Sequence, residues 1–94
     1  MTIVRIEHRV PDFAGWKEAF DSDPVGRERS GVRHYQILRA IDDPNYVLID
    51  LTFDTTSEAE AFLGRMRAVW QRVEGQVMWD PQSRIVEVVE SGAY

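Results

Sequence analysis

The amino-acid sequence predicts an α+β fold in which two helices cover one face of a four-stranded antiparallel sheet. Four segments rich in β-branched residues alternate as strands do, and two segments place apolar residues at helical spacing. The segments follow one another in the order β-α-β-β-α-β, which is the order of a ferredoxin-like domain. Since 94 residues suffice for one such domain, we expect residues 1–94 to form a single ferredoxin-like domain.

The first strand is predicted over 2–10, and the first helix begins at Phe13. Asp12 follows the proline that breaks the strand and is a suitable N-cap for the helix. Trp16 and Phe20 continue the apolar stripe that Phe13 begins. One face of the strand combines one histidine with three aliphatic residues: Val4, Ile6, His8 and Val10.

The middle of the chain predicts a second short helix and then a hairpin. Asp23-Pro24 has the composition of a capped helix start, and Gly31 is a plausible C-terminal cap. Two strands are expected over 32–40 and 46–54. The residues between them, 42–45, carry proline and Asx side chains, which favour a turn.

The second long helix follows a cluster of hydroxyl side chains. Either Thr55 with Glu58 or Ser57 with Glu60 forms a capping box, and both pairings are open at this point. We expect the helix to stop at Gly75. A loop around Asp80-Pro81 should then lead into a fourth strand over 84–90, and the apolar helix positions are Ala59, Phe62, Leu63, Met66, Val69, Trp70 and Val73.

Two helices cover only one face of the predicted sheet. The other face carries Ile3, Leu48 and some of the valines of the fourth strand, which is an apolar surface of the kind that marks an interface. We therefore expect a homodimer formed through the uncovered sheet face. On that face Arg5 and Asp50 should form an ion pair across neighbouring strands.

Composition excludes several classes of protein. Without cysteine there is no disulfide framework, zinc–thiolate site or thiol nucleophile. A formal net charge of −5 argues against nucleic acid or an anionic membrane as a partner. The sequence has no apolar run of about 20 residues and no signal-peptide core, so we expect a cytoplasmic protein.

Eight short features stand out along these segments: His8-Arg9-Val10, Asp12-Phe13, Trp16-Lys17, Phe20-Asp21, Gly31-Val32, Asp42-Asp43-Pro44-Asn45, Glu58-Ala59 and Ala61-Phe62. Together they resemble the dimeric α+β barrel superfamily, in particular its small antibiotic-biosynthesis-monooxygenase-like and cyclase-like proteins. The resemblance covers roughly residues 3 to 90. It implies that two chains pack sheet to sheet and that each chain holds a small-molecule pocket between its helices and its sheet.

The resemblance does not extend to the haem-degrading members of the superfamily. Those relatives carry an asparagine late in the first strand, a tryptophan at the end of the third strand and a histidine on the second helix. This chain has His8 and Phe53 at the first two positions and no histidine on the second helix. We expect no cofactor and no metal.

His8 is the candidate catalytic residue, as a neutral general base that takes a proton from an acidic phenol or enol. Its structural alternative is a strand-end histidine bonded to a loop. The expected function is that of a cofactor-independent monooxygenase-like or cyclase-like enzyme acting on a hydrophobic or aromatic metabolite; the alternative is a non-catalytic dimeric ligand-binding or accessory module. The expected pocket residues, which would equally serve as plain core, are Trp16, Phe20, Phe53, Phe62, Met66 and Trp70.

Overall fold

The computed structural model describes residues 1–73 and 78–94. Its elements are β1 (Thr2–Arg9), α1 (Phe13–Asp21), β2 (Val32–Ala40), β3 (Asp43–Phe53), α2 (Thr56–Val73) and β4 (Trp79–Glu87). The predicted β-α-β-β-α-β order is thereby confirmed. The four strands form one antiparallel sheet in the order β2-β3-β1-β4, so β1 and β2 are not neighbours.

Both helices lie against the same face of the sheet. The even-numbered side chains of β1 and the odd-numbered ones of β3 point to this face, because residues such as Val4 and Leu51 are paired across the two strands. The even-numbered side chains from Val4 to Val10 and the odd-numbered side chains from Val47 to Phe53 are all buried. This shared face positions the candidate site.

The first helix begins as the sequence predicts. The carboxylate of Asp12 accepts a hydrogen bond of 2.9 Å from the backbone N–H of Gly15, so Asp12 is the N-cap. Such a cap fixes where α1 starts relative to β1, and it places Trp16, which is buried, over the sheet.

The prediction of a second short helix from Asp23-Pro24 to Gly31 is wrong. Residues 22–31 form successive turns instead. Asp23 has a φ of 52°, a left-handed conformation that a right-handed helix does not accept. Its carboxylate accepts the backbone N–H of Arg27 at 2.9 Å, and its carbonyl accepts that of Gly26 at 3.1 Å. Asp23 thus closes a turn instead of capping a helix.

Gly31 ends this loop and needs to be glycine. Its φ is +102°, and a Cβ placed there would come within 2.5 Å of the Glu58 carboxylate. The loop therefore joins β2 at a point where the backbone passes close to the start of α2.

The hairpin between β2 and β3 turns earlier than expected. β2 has the predicted bounds, but the turn consists of Ile41 and Asp42, and β3 already begins at Asp43. A two-residue turn is the commonest hairpin connection. The ladder shifts register between Arg39 and Ala40, and this irregularity accommodates Pro44, which has no N–H to donate.

The cap of α2 resolves the two pairings that the sequence left open. The Thr55 hydroxyl donates to the Glu58 carboxylate at 3.1 Å and accepts the Glu58 backbone N–H at 3.2 Å. The capping box is therefore Thr55 with Glu58. The predicted stop of the helix at Gly75 lies outside the described residues.

The fourth strand lies earlier in the chain than predicted. It runs from Trp79 to Glu87, so Asp80-Pro81 belongs to the strand and not to a loop. Pro81 is tolerated because β4 is an edge strand. The register shifts between Glu7 and Arg9, next to Asp80, whose φ is 51°.

Candidate functional site

A cavity of about 280 Å³ lies between the two helices and the helix-facing side of the sheet. Four strand residues form its floor: Ile6, His8, Ile49 and Leu51. The helices contribute mostly apolar and aromatic side chains, so the lining of the cavity is predominantly apolar. A cavity of this size is just below the range of about 300 to 1,000 Å³ that is typical of small-molecule sites.

Five of the six predicted pocket residues line this cavity. Trp16 and Phe20 extend from α1, and Phe62, Met66 and Trp70 extend from α2. The sixth, Phe53, is not part of the lining. It is fully buried at the end of β3, with its ring centroid 5.4 Å from that of Phe62, so it packs behind the cavity wall.

His8 is part of the cavity floor and is only 2% exposed. Burial lowers the pKa of its imidazole, and a contact with the Arg9 carbonyl offsets this in part. The predicted neutral state of the ring at pH 7 agrees with this direction. Nδ1 lies 3.4 Å from that carbonyl oxygen, which only accepts, so Nδ1 carries the proton and Nε2 keeps its lone pair.

A row of rings follows His8 along the α1 wall. The centroids of His8 and Trp16 are 5.7 Å apart in an edge-to-face arrangement, and those of Trp16 and Phe20 are 5.3 Å apart. Aromatic rings at these separations stabilise one another and hold their orientations. The row gives the cavity an aromatic side whose rings are inclined to one another.

The loop after α1 also borders the cavity, which the sequence does not predict. Five residues of this loop contribute to the lining: Ser22, Asp23, Pro24, Val25 and Arg27. The Asp23-Pro24 pair favours a helix start, and a helix beginning there does not predict that Arg27 lines the cavity. The left-handed turn at Asp23 produces this arrangement, and no spacing in the sequence indicates it.

Arg27 is a charged group of this lining that is held by several contacts. Its Nη1 donates to the Phe20 carbonyl at 2.8 Å and lies 3.5 Å from the Asp23 carboxylate. The guanidinium carbon is 3.7 Å from the centroid of the Phe20 ring, so the cation stacks on that ring. Arg72 of α2 and Met78 also line the cavity.

Three other histidine and aromatic side chains lie outside the cavity lining. His34 is exposed on β2 and pairs with Thr52, whose side of the sheet faces away from the helices. Tyr35 pairs with Leu51 and lies on the opposite side, as the alternation of strand residues requires. Trp79 lies at the start of β4 opposite Arg9 and does not line the cavity.

Across residues 1–73 and 78–94, no group of three histidine, aspartate or glutamate side chains is arranged to hold a metal ion. In the same ranges no helix is long and apolar enough to cross a membrane.

No protein-family model matches the sequence, and no curated protein matches it either. Solved structures do match the fold. A variant of SnoaB, a cofactor-independent oxygenase from Streptomyces nogalater, matches with a TM-score of 0.72 at 14% identity over 96% of this chain and 93% of that one. The chain shares the ferredoxin-like fold of that structure.

Two further solved structures with this fold show its breadth. A protein from Nitrosomonas europaea assigned to the antibiotic biosynthesis monooxygenases matches with a TM-score of 0.71 at 17% identity, covering 94% of this chain and 89% of that one. A mutant of MhuD with two manganese protoporphyrin IX molecules per active site matches with a TM-score of 0.72 at 17% identity, covering all of both chains. At these identities the likeness is one of fold, and chemistry has to be argued from the residues of the site.

Proposed function

We propose that this protein is a small-molecule enzyme of the cofactor-independent monooxygenase or cyclase kind, with His8 as its general base. The observation that carries the proposal is a buried imidazole, with its pKa lowered by burial, in the floor of an apolar, aromatic-lined cavity. A neutral imidazole can accept a proton, and burial of the ring away from water keeps the ring neutral at physiological pH. The ligand would be a planar hydrophobic or aromatic metabolite held between the helices and the sheet.

The chemistry begins with proton transfer to Nε2 of His8. An acidic methylene or phenol next to an aromatic system loses its proton and becomes a carbanion or phenolate. For oxygenation, the anion reduces dioxygen itself, so one methylene and one O₂ give one carbonyl and one water. His8 returns the proton to the oxygen that leaves as water. For cyclisation, the same anion attacks a carbonyl carbon of the ligand, the C=O π bond breaks, and His8 returns the proton to the resulting alkoxide.

Haem degradation is not proposed. The structure neighbour with bound manganese protoporphyrin shares the fold, but the residue set that the haem-degrading relatives use does not fit this chain. Helix α2 contains no histidine, and Phe53 lies outside the cavity lining. The residues of this site are better suited to acid–base chemistry on an organic ligand.

The test uses anthrone, a planar tricyclic ketone whose central methylene is acidic and whose anion reacts with dioxygen. Oxygen uptake and anthraquinone formation are measured for the wild type and for His8→Asn, with the uncatalysed rate subtracted. Asparagine keeps a hydrogen-bonding side chain but does not transfer protons, so turnover should fall by about 100-fold or more. His34→Asn is the matched control, since His34 is exposed on the other side of the sheet, and it should leave turnover unchanged. Equal turnover by wild type and His8→Asn would refute the role of His8.

The second candidate is a non-catalytic dimeric module that binds a hydrophobic metabolite. One observation favours it: the His8 ring contacts the Arg9 carbonyl and Trp16, and within the described residues no second acid or base is hydrogen-bonded to it. Under this function anthrone binds without being turned over by any variant. A metabolite that copurifies with the wild type, identified by mass spectrometry, would then define the ligand.

We also propose that two copies of the chain pair through the uncovered sheet face. Ile3 and Leu48 are half-buried there, and Leu38 of β2 is exposed on the same side, opposite Leu48. A sheet with apolar side chains on both faces gains free energy by burying the second face against another copy. Arg5 and Asp50 lie in the middle of this face.

A further inference from the structure

We infer that Arg27 binds an anionic oxygen group of the ligand, so the ligand class is a compact aromatic acid: a planar apolar body with one carboxylate. This inference rests on the proposed use of the cavity for a small aromatic molecule and specifies the substrate class of that site. Arg27 and His8 line the same cavity, Arg27 from the loop after α1 and His8 from the floor. A ligand between them would place its anion at the guanidinium and its apolar rings along Trp16 and Phe20.

The hydrogen bonds of Arg27 leave part of its guanidinium available. Nη1 is engaged by the Phe20 carbonyl and lies near the Asp23 carboxylate. Among the residues that the structure describes, Nε and Nη2 of Arg27 make no hydrogen bond. These two nitrogens form one edge of the guanidinium, which binds a carboxylate in a two-pronged manner.

The same chain shows what that edge does when a carboxylate is present. Arg5 uses its Nε and Nη2 to bind the two carboxylate oxygens of Asp50, each at 2.8 Å. In Arg27 the stacking on the Phe20 ring and the bond to the Phe20 carbonyl hold the guanidinium in place, so a ligand need not order it. The side chain of Arg27 is 18% exposed, which reduces the competition from water.

The positive charge of Arg27 favours an anion at its end of the cavity. Within residues 1–73 and 78–94, the charged side chains of the lining are those of Arg27, Arg72 and Asp23. Asp23 offsets part of the charge of Arg27, but it also has a local function, because its carboxylate holds the turn by accepting the Arg27 backbone N–H. An apolar cavity with Arg27 at its margin fits an aromatic carboxylate better than a neutral hydrocarbon or a cation.

The test compares 2-naphthoate with 2-naphthamide, which share the fused ring system and differ in charge. Calorimetric titration of the wild type should give a Kd about tenfold or more lower for the naphthoate, since a bidentate charge-assisted pair is lost with the amide. Arg27→Met should remove this preference while leaving the Kd for 2-naphthamide unchanged. Arg29→Met is the matched control, because Arg29 lies in the same loop but does not line the cavity, and it should keep the preference.

A second variant keeps the test decisive if Arg27→Met does not fold. Asp23→Asn retains an oxygen for the Arg27 N–H and a residue that tolerates positive φ, but it removes the competing charge, so it should bind 2-naphthoate more tightly than the wild type does. Equal wild-type affinities for the two compounds, a preference that survives in Arg27→Met, or no binding of either compound would each overturn the inference. A wild type that shows no anion preference but has His8-dependent anthrone turnover would reject the inference about Arg27 alone. A wild type that shows the Arg27-dependent anion preference but no His8-dependent turnover would reject the role of His8 alone.

Discussion

Arg5 and Asp50 face each other across β1 and β3 and are joined by two N–H···O bonds of 2.8 Å each, on the side of the sheet that the helices leave open. This is the ion pair that the sequence predicts. The Arg5 side chain is 52% exposed in the single chain, whereas that of Asp50 is 15% exposed. The energetic weight of the pair therefore depends on whether a second chain covers this face.

The first prediction concerns the contribution of the Arg5–Asp50 pair to the free energy of unfolding. Asp50→Ala should lower the free energy of unfolding by about 3 kcal/mol or more, because a dimer would bury Arg5 without its partner. Urea denaturation at micromolar concentration measures the change. Asp21→Ala, which breaks the exposed Lys17–Asp21 pair of α1, should cost only about 0.5 kcal/mol. If the two substitutions cost the same, no second chain covers the Arg5–Asp50 pair.

The second prediction is the dimer itself. Sedimentation velocity at micromolar concentration should give a homodimer, and Leu48→Glu should give a folded monomer because it places a charge in the middle of the proposed interface. Ala68→Glu, on an exposed position of α2, is the control and should remain dimeric. A wild type that sediments as a monomer contradicts the proposed sheet-to-sheet pairing.

The third prediction follows from the burial of His8. Its pKa in the folded chain is below the ordinary value of 6.5, so between these two values the unfolded chain binds the additional proton. The contribution of His8 to stability is therefore complete above about pH 6.5. As the pH falls from there towards the pKa of the folded chain, the free energy of unfolding decreases by up to about 1.4 kcal/mol per pH unit. Urea denaturation from about pH 7.5 down to about pH 5, which spans the titration of histidine, should show a smaller slope for His8→Asn than for the wild type. An NMR titration in which His8 protonates at or above about pH 6.5 would contradict this prediction.

The fourth prediction tests the capping box of α2, which holds one wall of the cavity. Thr55→Ala should destabilise the chain by about 1 kcal/mol, because it removes the acceptor of the Glu58 N–H and the donor to the Glu58 carboxylate. Ser57→Ala removes a hydroxyl from the alternative pairing, which the structure does not form, and should change stability by less than about 0.5 kcal/mol. Thermal denaturation of the two variants distinguishes them; a larger effect at Ser57 would contradict the assigned cap.

Features that depend on local periodicity were predictable from the sequence. Alternation along β1 placed His8 with Val4 and Ile6 on the buried face, and helical spacing placed Trp16 and Phe62 toward the cavity. The order of the elements then determined which strands are neighbours. This sufficed to predict the pairing of Arg5 with Asp50, since both lie on the same face of adjacent strands.

Other features depend on contacts between distant segments and were decided only by the tertiary structure. Pairing with β1 draws β4 back to Trp79, although Pro81 argues for a loop there, because an edge strand tolerates a missing N–H. The left-handed turn at Asp23 brings Arg27 onto the Phe20 ring and into the cavity lining. Phe53 has the character of a pocket residue, but it is packed against Phe62 behind the wall. The alternation of side chains along a strand is a property of neighbouring residues, so the sequence alone determines it. The boundary of a cavity depends on how side chains from segments remote in sequence pack together, so only the tertiary structure determines it.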